Sequence, residues 1–156
     1  MSKTNVYDNL KKLNIELPPP PAKGGVYEPV KLFGSNLAYI SGCVPNIEGL
    51  PSIKGKVGKD VSLEEAQEAA RRCMLNILAV LDRDLGDLNR VKDFVKMLAF
   101  VASDNDFYSQ PQVANAASQL IVDVFGEDKC PARSAIGVNV LPGDVPVEIE
   151  LLIEIE

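Results

Sequence analysis

The sequence predicts an α+β fold, a mixed β-sheet with two helices packed on one of its faces. Three observations carry that expectation. Segment 62–85 places a helical apolar stripe behind a capping box. Segment 145–155 alternates apolar and acidic residues with the period of a strand. From residue 25 onward the order reads strand-strand-helix-strand-helix-strand-strand, so strands outnumber helices. Residues 1–24 read as a short helix followed by a proline-rich arm, and 25–156 as one domain.

In chain order, Val6, Leu10 and Leu13 fall at i, i+4 and i+7, which predicts a short helix over 6–14. Pro18 to Pro21 form a stiff spacer that crosses the surface as an arm. Val26 to Phe33 and Leu37 to Gly42 predict two strands joined by a Gly34-Ser35-Asn36 turn. Residues 43–60 hold Pro45, Asn46, Gly49, Pro51, Gly55 and Gly58 and predict a long loop. A phosphate-binding loop would end in Gly-Lys-Ser/Thr, but here Gly55-Lys56 leads to Val57.

Ser62 and Glu65 satisfy each other's free backbone N–H groups at the start of the first long helix. Its stripe runs Ala66, Ala69, Ala70, Cys73, Ile77, Val80 and Leu81, and Gly86 ends it. Cys73 lies inside that stripe and reads as a small core residue. Arg90 to Ala102 is dense in Val, Phe and Leu, as in a strand buried on both faces. Pro111 opens the second helix, where a missing N–H costs nothing. Val113, Ala114, Ala117, Leu120, Ile121 and Val124 line its inner face, and Gly126 stops it. Two strands follow, at about 133–140 and 145–155.

Composition removes several function classes. With 156 residues and 46% hydrophobic content the chain can bury a core. A net charge of −6 argues against nucleic acid as a partner, because that binding rests on neutralising phosphates. Arg71-Arg72 reads as a solvated helix face. Cys43, Cys73 and Cys130 form no CxxC pair, and no zinc-ligand spacing exists, so no metal is expected. The first five residues carry no apolar leader, and no run approaches ~18 apolar residues, so cytoplasm and no membrane contact are expected. There is no histidine, which excludes a Ser-His-Asp triad, a Cys-His pair and histidine-based ribonuclease chemistry.

The chemistry that remains concentrates near the C-terminus, in Cys130-Pro131-Ala132-Arg133-Ser134-Ala135 and Val147-Glu148-Ile149-Glu150. Arginine stays charged and grips a carboxylate through two parallel hydrogen bonds. A nearby glutamate can hold a water or move a proton. If 141–144 is a hairpin loop, Val140, Val138 and Ile136 face Val145, Val147 and Ile149, and this apolar face meets the helices. Arg133, Ala135 and Gly137 then share the other face with Glu148, Glu150 and Leu152, with Arg133 opposite Leu152. That register expects a shallow pocket with a cation at one end and a carboxylate at the other. The open face, with Leu152, Tyr39 and Ala38, would suit symmetric self-association. The residues alone also fit a solvated sheet face with ordinary surface charges.

The segments Ile40-Ser41-Gly42, Asn76-Ile77-Leu78, Val95-Lys96, Asp106-Phe107, Pro131-Ala132-Arg133-Ser134, Leu141-Pro142 and Val147-Glu148-Ile149-Glu150 resemble the RidA family, also called YjgF or L-PSP-like. The resemblance covers about residues 25 to 156. The proline-rich arm and Lys56-Val57-Gly58 look like a longer, chorismate-mutase-like subgroup. The resemblance implies a chorismate-mutase-like (YjgF-type) α+β fold and a homotrimer with ligand sites in clefts between subunits. It also implies hydrolysis of small enamine or imine carboxylates, such as 2-aminoacrylate, to 2-keto acids and ammonia without a cofactor. Carried over, Arg133 binds the substrate carboxylate and Glu148 positions water or shuttles a proton. Tyr27, Ser41, Gly42 and Asn115 complete the cleft. Two positions depart from the family pattern, since Cys43 stands where glutamine is usual and Ala135 where cysteine is common. The arm is an addition that could shape or cover the cleft. A non-catalytic carboxylate-binding protein is the alternative, a small carboxylate being the ligand in either case. An endoribonuclease, suggested by the family's older name, comes third, and a chorismate mutase would be analogy of fold alone.

Overall fold

The computed structural model describes residues 5–156; the first four residues of the expected N-terminal segment 1–24 lie outside the described residues. The elements are α1 (Val6–Lys12), β1 (Val30–Phe33), β2 (Leu37–Cys43), β3 (Asn46–Ile47), β4 (Leu50–Pro51), α2 (Leu63–Leu85), β5 (Val91–Ala102), α3 (Gln110–Phe125), β6 (Ala132–Val138) and β7 (Val147–Ile155). Five strands form one mixed sheet in the order β1-β2-β7-β5-β6, and β3 pairs with β4 as a separate ribbon. The α+β architecture is as expected, with α2 and α3 against one face.

Local chemistry explains the long elements. Ser62 accepts from the Glu65 N–H at 3.2 Å while the Glu65 carboxylate accepts from the Ser62 N–H at 2.8 Å. Gly86 ends α2 in the left-handed region at φ 75°, where only glycine is at ease. Pro111 sits in the first turn of α3. Between helices and sheet lies one core. Ala66, Ala70, Cys73, Ile77 and Leu81 of α2 and Val113, Ala117 and Ile121 of α3 meet Met97, Ala99, Val101, Ile149, Leu151 and Ile153. The arm joins that core: Val6 and Leu10 are buried, and Ile15 and Leu17 pack against it.

Five expectations fail. β5 is not buried on both faces, since Val95 is 40% exposed and Leu98 and Phe100 are only half-buried. The stretch expected as strand from Val26 begins only at Val30, and Val26 is fully exposed. The 43–60 loop contains the small β3–β4 ribbon, turning through Glu48 (φ 51°) and Gly49 (φ 80°). Ala38 is fully buried, facing the helices instead of the open side. The largest correction concerns the final hairpin, because β6 and β7 do not pair at all. β5 runs between them, parallel to β6 (Met97 beside Arg133) and antiparallel to β7 (Ala99 beside Ile149). α3 is thus the crossover of a parallel β5-α3-β6 unit.

The pairing error also inverts one strand. Met97, Ala99 and Val101 are buried under the helices, so their β6 partners Arg133, Ala135 and Gly137 face the helices too. Ser134, Ile136 and Val138 face the open side, and Ile136 is 44% exposed. Glu148 and Glu150 lie beside Phe100 and Leu98 on that open side. Arg133 and Glu148 therefore lie on opposite faces of the sheet.

Candidate active site

The residues expected to form one site form two. The first is built around Arg133 on edge strand β6. Its guanidinium Nη1 donates to Asn115 Oδ1 at 2.9 Å and to Ser118 Oγ at 3.0 Å, and Nη2 donates to the Pro111 carbonyl at 3.3 Å. Residues 111, 115 and 118 form one stripe of α3, spaced i, i+4 and i+7. That spacing was a usable signal for Ser118 and Pro111, which sequence reasoning missed. All three partners are neutral. Three of the five guanidinium N–H groups are thus engaged, and Nε–H with one Nη2–H find no partner among the described residues. Such an edge can take a carboxylate in a fork.

The second is a cleft of about 740 Å³ beside Glu148, walled by Tyr27, Ser41, Gly42 and Cys43, with Pro21 to Gly24 of the arm along one side. A strand places each inner group. Gly42 lies so close to Glu148 that a Cβ there would collide with the carboxyl group. Ser41 Oγ donates to the Glu28 carbonyl at 2.7 Å, and its N–H donates to the Pro29 carbonyl at 2.9 Å, tying β2 to the segment before β1. Tyr27 Oη accepts from the Gly24 N–H at 3.2 Å, which fixes the arm's exit.

Electrostatics mark Glu148. Its carboxyl is half-buried, and desolvation raises its pKa above the ordinary value, with the neighbouring Glu150 charge adding to the shift. Glu150 is itself engaged by Tyr39 Oη, which donates at 2.7 Å. Burial pushes the Cys43 thiol up to about 12, with the Glu148 charge as the second cause, so Cys43 is a poor nucleophile. Cys73 is fully buried in the core, as expected from its helix stripe. Among the described residues no cluster of three or more His, Cys, Asp or Glu could hold a metal ion. No helix among them is long and apolar enough to cross a membrane.

Tyr27, Ser41, Gly42 and Glu148 therefore come together, and so do Arg133 and Asn115, but the two groups stay apart. Two strand spacings of ~4.8 Å and a three-residue offset at ~3.3 Å per residue separate their backbones by about 14 Å, with the side chains pointing away from each other.

Known proteins show the same architecture. A family model described as "YjgF/chorismate_mutase-like, putative endoribonuclease" matches residues 8–155. Protein TCP17 of Trypanosoma cruzi is 39% identical over 148 residues, 94% of this chain and 92% of that one. The crystal structure of Atu1372 from Agrobacterium tumefaciens, of unknown function, matches at TM-score 0.88 and 39% identity, covering 97% of this chain and 92% of that one. A 2-iminobutanoate/2-iminopropanoate deaminase of Dermatophagoides farinae is 29% identical over 109 residues, 67% of this chain and 77% of its own. With the family model spanning nearly its whole length, the chain belongs to the RidA/YjgF family.

Proposed function

We propose that this protein hydrolyses small imine or enamine carboxylates to 2-keto acids and ammonia. The observation that carries the reading is the half-buried, hard-to-ionise Glu148 in a cleft with Tyr27, Ser41 and Gly42. A carboxylate whose pKa is raised toward neutrality is better matched to moving a proton at neutral pH. Glu148 takes a proton from a water as its oxygen bonds to the imine carbon. It returns that proton to the nitrogen, giving a carbinolamine, and then carries the remaining hydroxyl proton to the nitrogen as the C–N bond breaks, so that a C=O bond forms and ammonia leaves the keto acid. The imine is already electrophilic, so orientation supplies much of the rate. The family relative named as an iminobutanoate/iminopropanoate deaminase supports the same chemistry.

Arg133 supplies the carboxylate grip, steadied by Asn115. One chain holds grip and base on opposite faces, so in this reading copies assemble as a homotrimer. Arg133 of one copy then reaches the Glu148 cleft of the next. The open face offers exposed Phe33, Tyr39 and Ile136 for such an assembly.

The test is ammonia release from 2-aminoacrylate generated in situ, compared with buffer. Arg133→Ala should lower kcat/KM by about 10²- to 10³-fold, as expected for losing a charge-assisted pair worth roughly 3–4 kcal/mol. No acceleration by the wild type, with saturable keto-acid binding intact, would replace this reading by the non-catalytic one.

A further inference from the structure

We infer that the N-terminal arm makes the cleft selective for substrates with a second acid group, which Lys23 binds. This deepens the deaminase reading and rests on it for the reaction, though not for the binding. Among the residues lining the cleft Lys23 is the one cation and Glu148 the one acid. With Arg133 taking the carboxylate beside the imine carbon and Glu148 handling the water, the ammonium of Lys23 remains for another anion. The cleft's volume of about 740 Å³ exceeds the needs of a three-carbon acid and lies in the range of roughly 300–1,000 Å³ that suits larger ligands.

The backbone that carries Lys23 is held in place, and its ammonium is not saturated. The Val6 N–H donates to Asn89 Oδ1 at 3.0 Å, and Asn9 Nδ2 donates to the Val124 carbonyl at 2.7 Å. Tyr7 Oη donates to Asp82 at 2.6 Å and accepts from the Leu88 N–H at 2.9 Å. Ile15 and Leu17 pack on the core, the Pro18–Pro21 run is stiff, and Gly24 is bonded to Tyr27. The arm is therefore anchored on both sides of Lys23, and little backbone ordering is left for binding to supply. Lys23 pairs with Glu28 at 3.9 Å, with the side chains 48% and 65% exposed. A pair that long and that open contributes little, so a ligand carboxylate can displace it. The competing account, in which Lys23 is only a solvated surface lysine, predicts no dependence on the ligand's second charge.

The test compares two imines generated in situ by amino-acid oxidation, one from glutamate and one from alanine. The wild type should favour the dicarboxylate in kcat/KM, and Lys23→Met should cut that preference about tenfold, the effect of one partly desolvated ion pair. Lys23→Arg should retain it. Lys11→Met, an exposed change on α1, serves as the control. A wild type that favours the alanine imine, or a preference that survives in Lys23→Met, overturns the inference and leaves the deaminase reading standing. If neither imine is accelerated, the deaminase reading fails and calorimetry decides about Lys23. 2-Oxoglutarate must then bind more tightly than 2-oxobutanoate, through Lys23. Equal affinities, or affinities indifferent to Lys23→Met, sink it.

Discussion

Arg133 and Glu148 occupy regions built on opposite principles. Arg133 stands on an edge strand but faces the helices, where three bonds to neutral groups of α3 hold its guanidinium. Glu148 stands on a central strand but faces the side no helix covers, and burial together with the Glu150 charge disfavours its ionised form. The helix side fixes the guanidinium and leaves two of its N–H groups without a partner among the described residues. The open side leaves a hard-to-ionise carboxyl in a cleft bordered by loops and the arm. In the proposed reading, the covered face supplies a fixed grip and the open face supplies the base that a neighbouring copy's grip completes.

The largest effect should come from separating the two regions onto different chains. Arg133→Ala and Glu148→Gln should each be nearly inactive alone. Co-expressed in equal amounts, they should regain about a quarter of the wild-type rate, because random mixing in a cyclic assembly gives that share of sites an intact arginine from one copy and an intact glutamate from the next. Assays on tagged, co-purified mixtures measure it. No recovery in mixed assemblies would mean that grip and base do not meet across copies.

How much of this contrast the sequence could reveal depends on the kind of signal. The helices were legible because their ends are chemical: Ser62 and Glu65 cap, Gly86 terminates, Pro111 initiates. The alternation of β7 was legible because Val147, Ile149, Leu151, Ile153 and Ile155 are buried while Glu148, Glu150 and Glu154 are not. Strand partnership was not. Ile136 opposite Ile149 satisfies the same apolar rule as Ala99 opposite Ile149, and only the observed pairing puts Arg133 under α3. The 139–146 connection looks like a hairpin loop, yet Gly143 (φ 70°) and Asp144 (φ 59°) turn the chain past β5 to its far side. Arg133 and Glu148 were identifiable from side-chain chemistry. Tyr27, Ser41, Gly42 and Asn115 came only with the family resemblance, because they join the site through tertiary placement. Lys23 gave no local signal, since nothing in a proline-rich arm states which cleft it borders.

A second effect sharpens the contrast through pH. The folded carboxyl of Glu148 binds its proton at higher pH than the unfolded one, whose ordinary value is 4.5. Below that value both states are protonated and the group contributes no difference. As pH rises through the folded pKa, the charged folded form is penalised, so Glu148 lowers stability at neutral pH. Glu148→Gln should therefore raise Tm above the ordinary glutamate range, a gain that disappears in acid and stays small because the group is only half-buried. In the wild type kcat/KM should fall with acid along a limb displaced above 4.5. Glu150→Gln should move that limb down, because the Glu150 charge is the second cause of the shift. Arg133→Ala, on the other face of the same chain, should lower the plateau. A limb at the ordinary value would remove the electrostatic distinction between the two regions.

The smallest effect should come from one methyl group. Gly42 is not in the left-handed region, so alanine there costs no backbone strain. Its Cβ would nevertheless meet Glu148, with the carboxyl carbon at 3.0 Å and Cγ at 3.2 Å. The crowded group is a side chain that can swing, so Gly42→Ala should change Tm little. The displaced carboxyl should lower kcat/KM by about tenfold, less than the roughly 10²-fold that a misplacement of about 1 Å can cost. On the arginine side Ala135 already carries its Cβ on the helix-facing side of β6, and a Cβ at Gly137 would meet Gln110 and Ser103 instead of Arg133. If Gly42→Ala left kcat/KM intact while lowering Tm, the close approach of Gly42 to Glu148 would serve packing alone, and the cleft would lose its claim to hold the base.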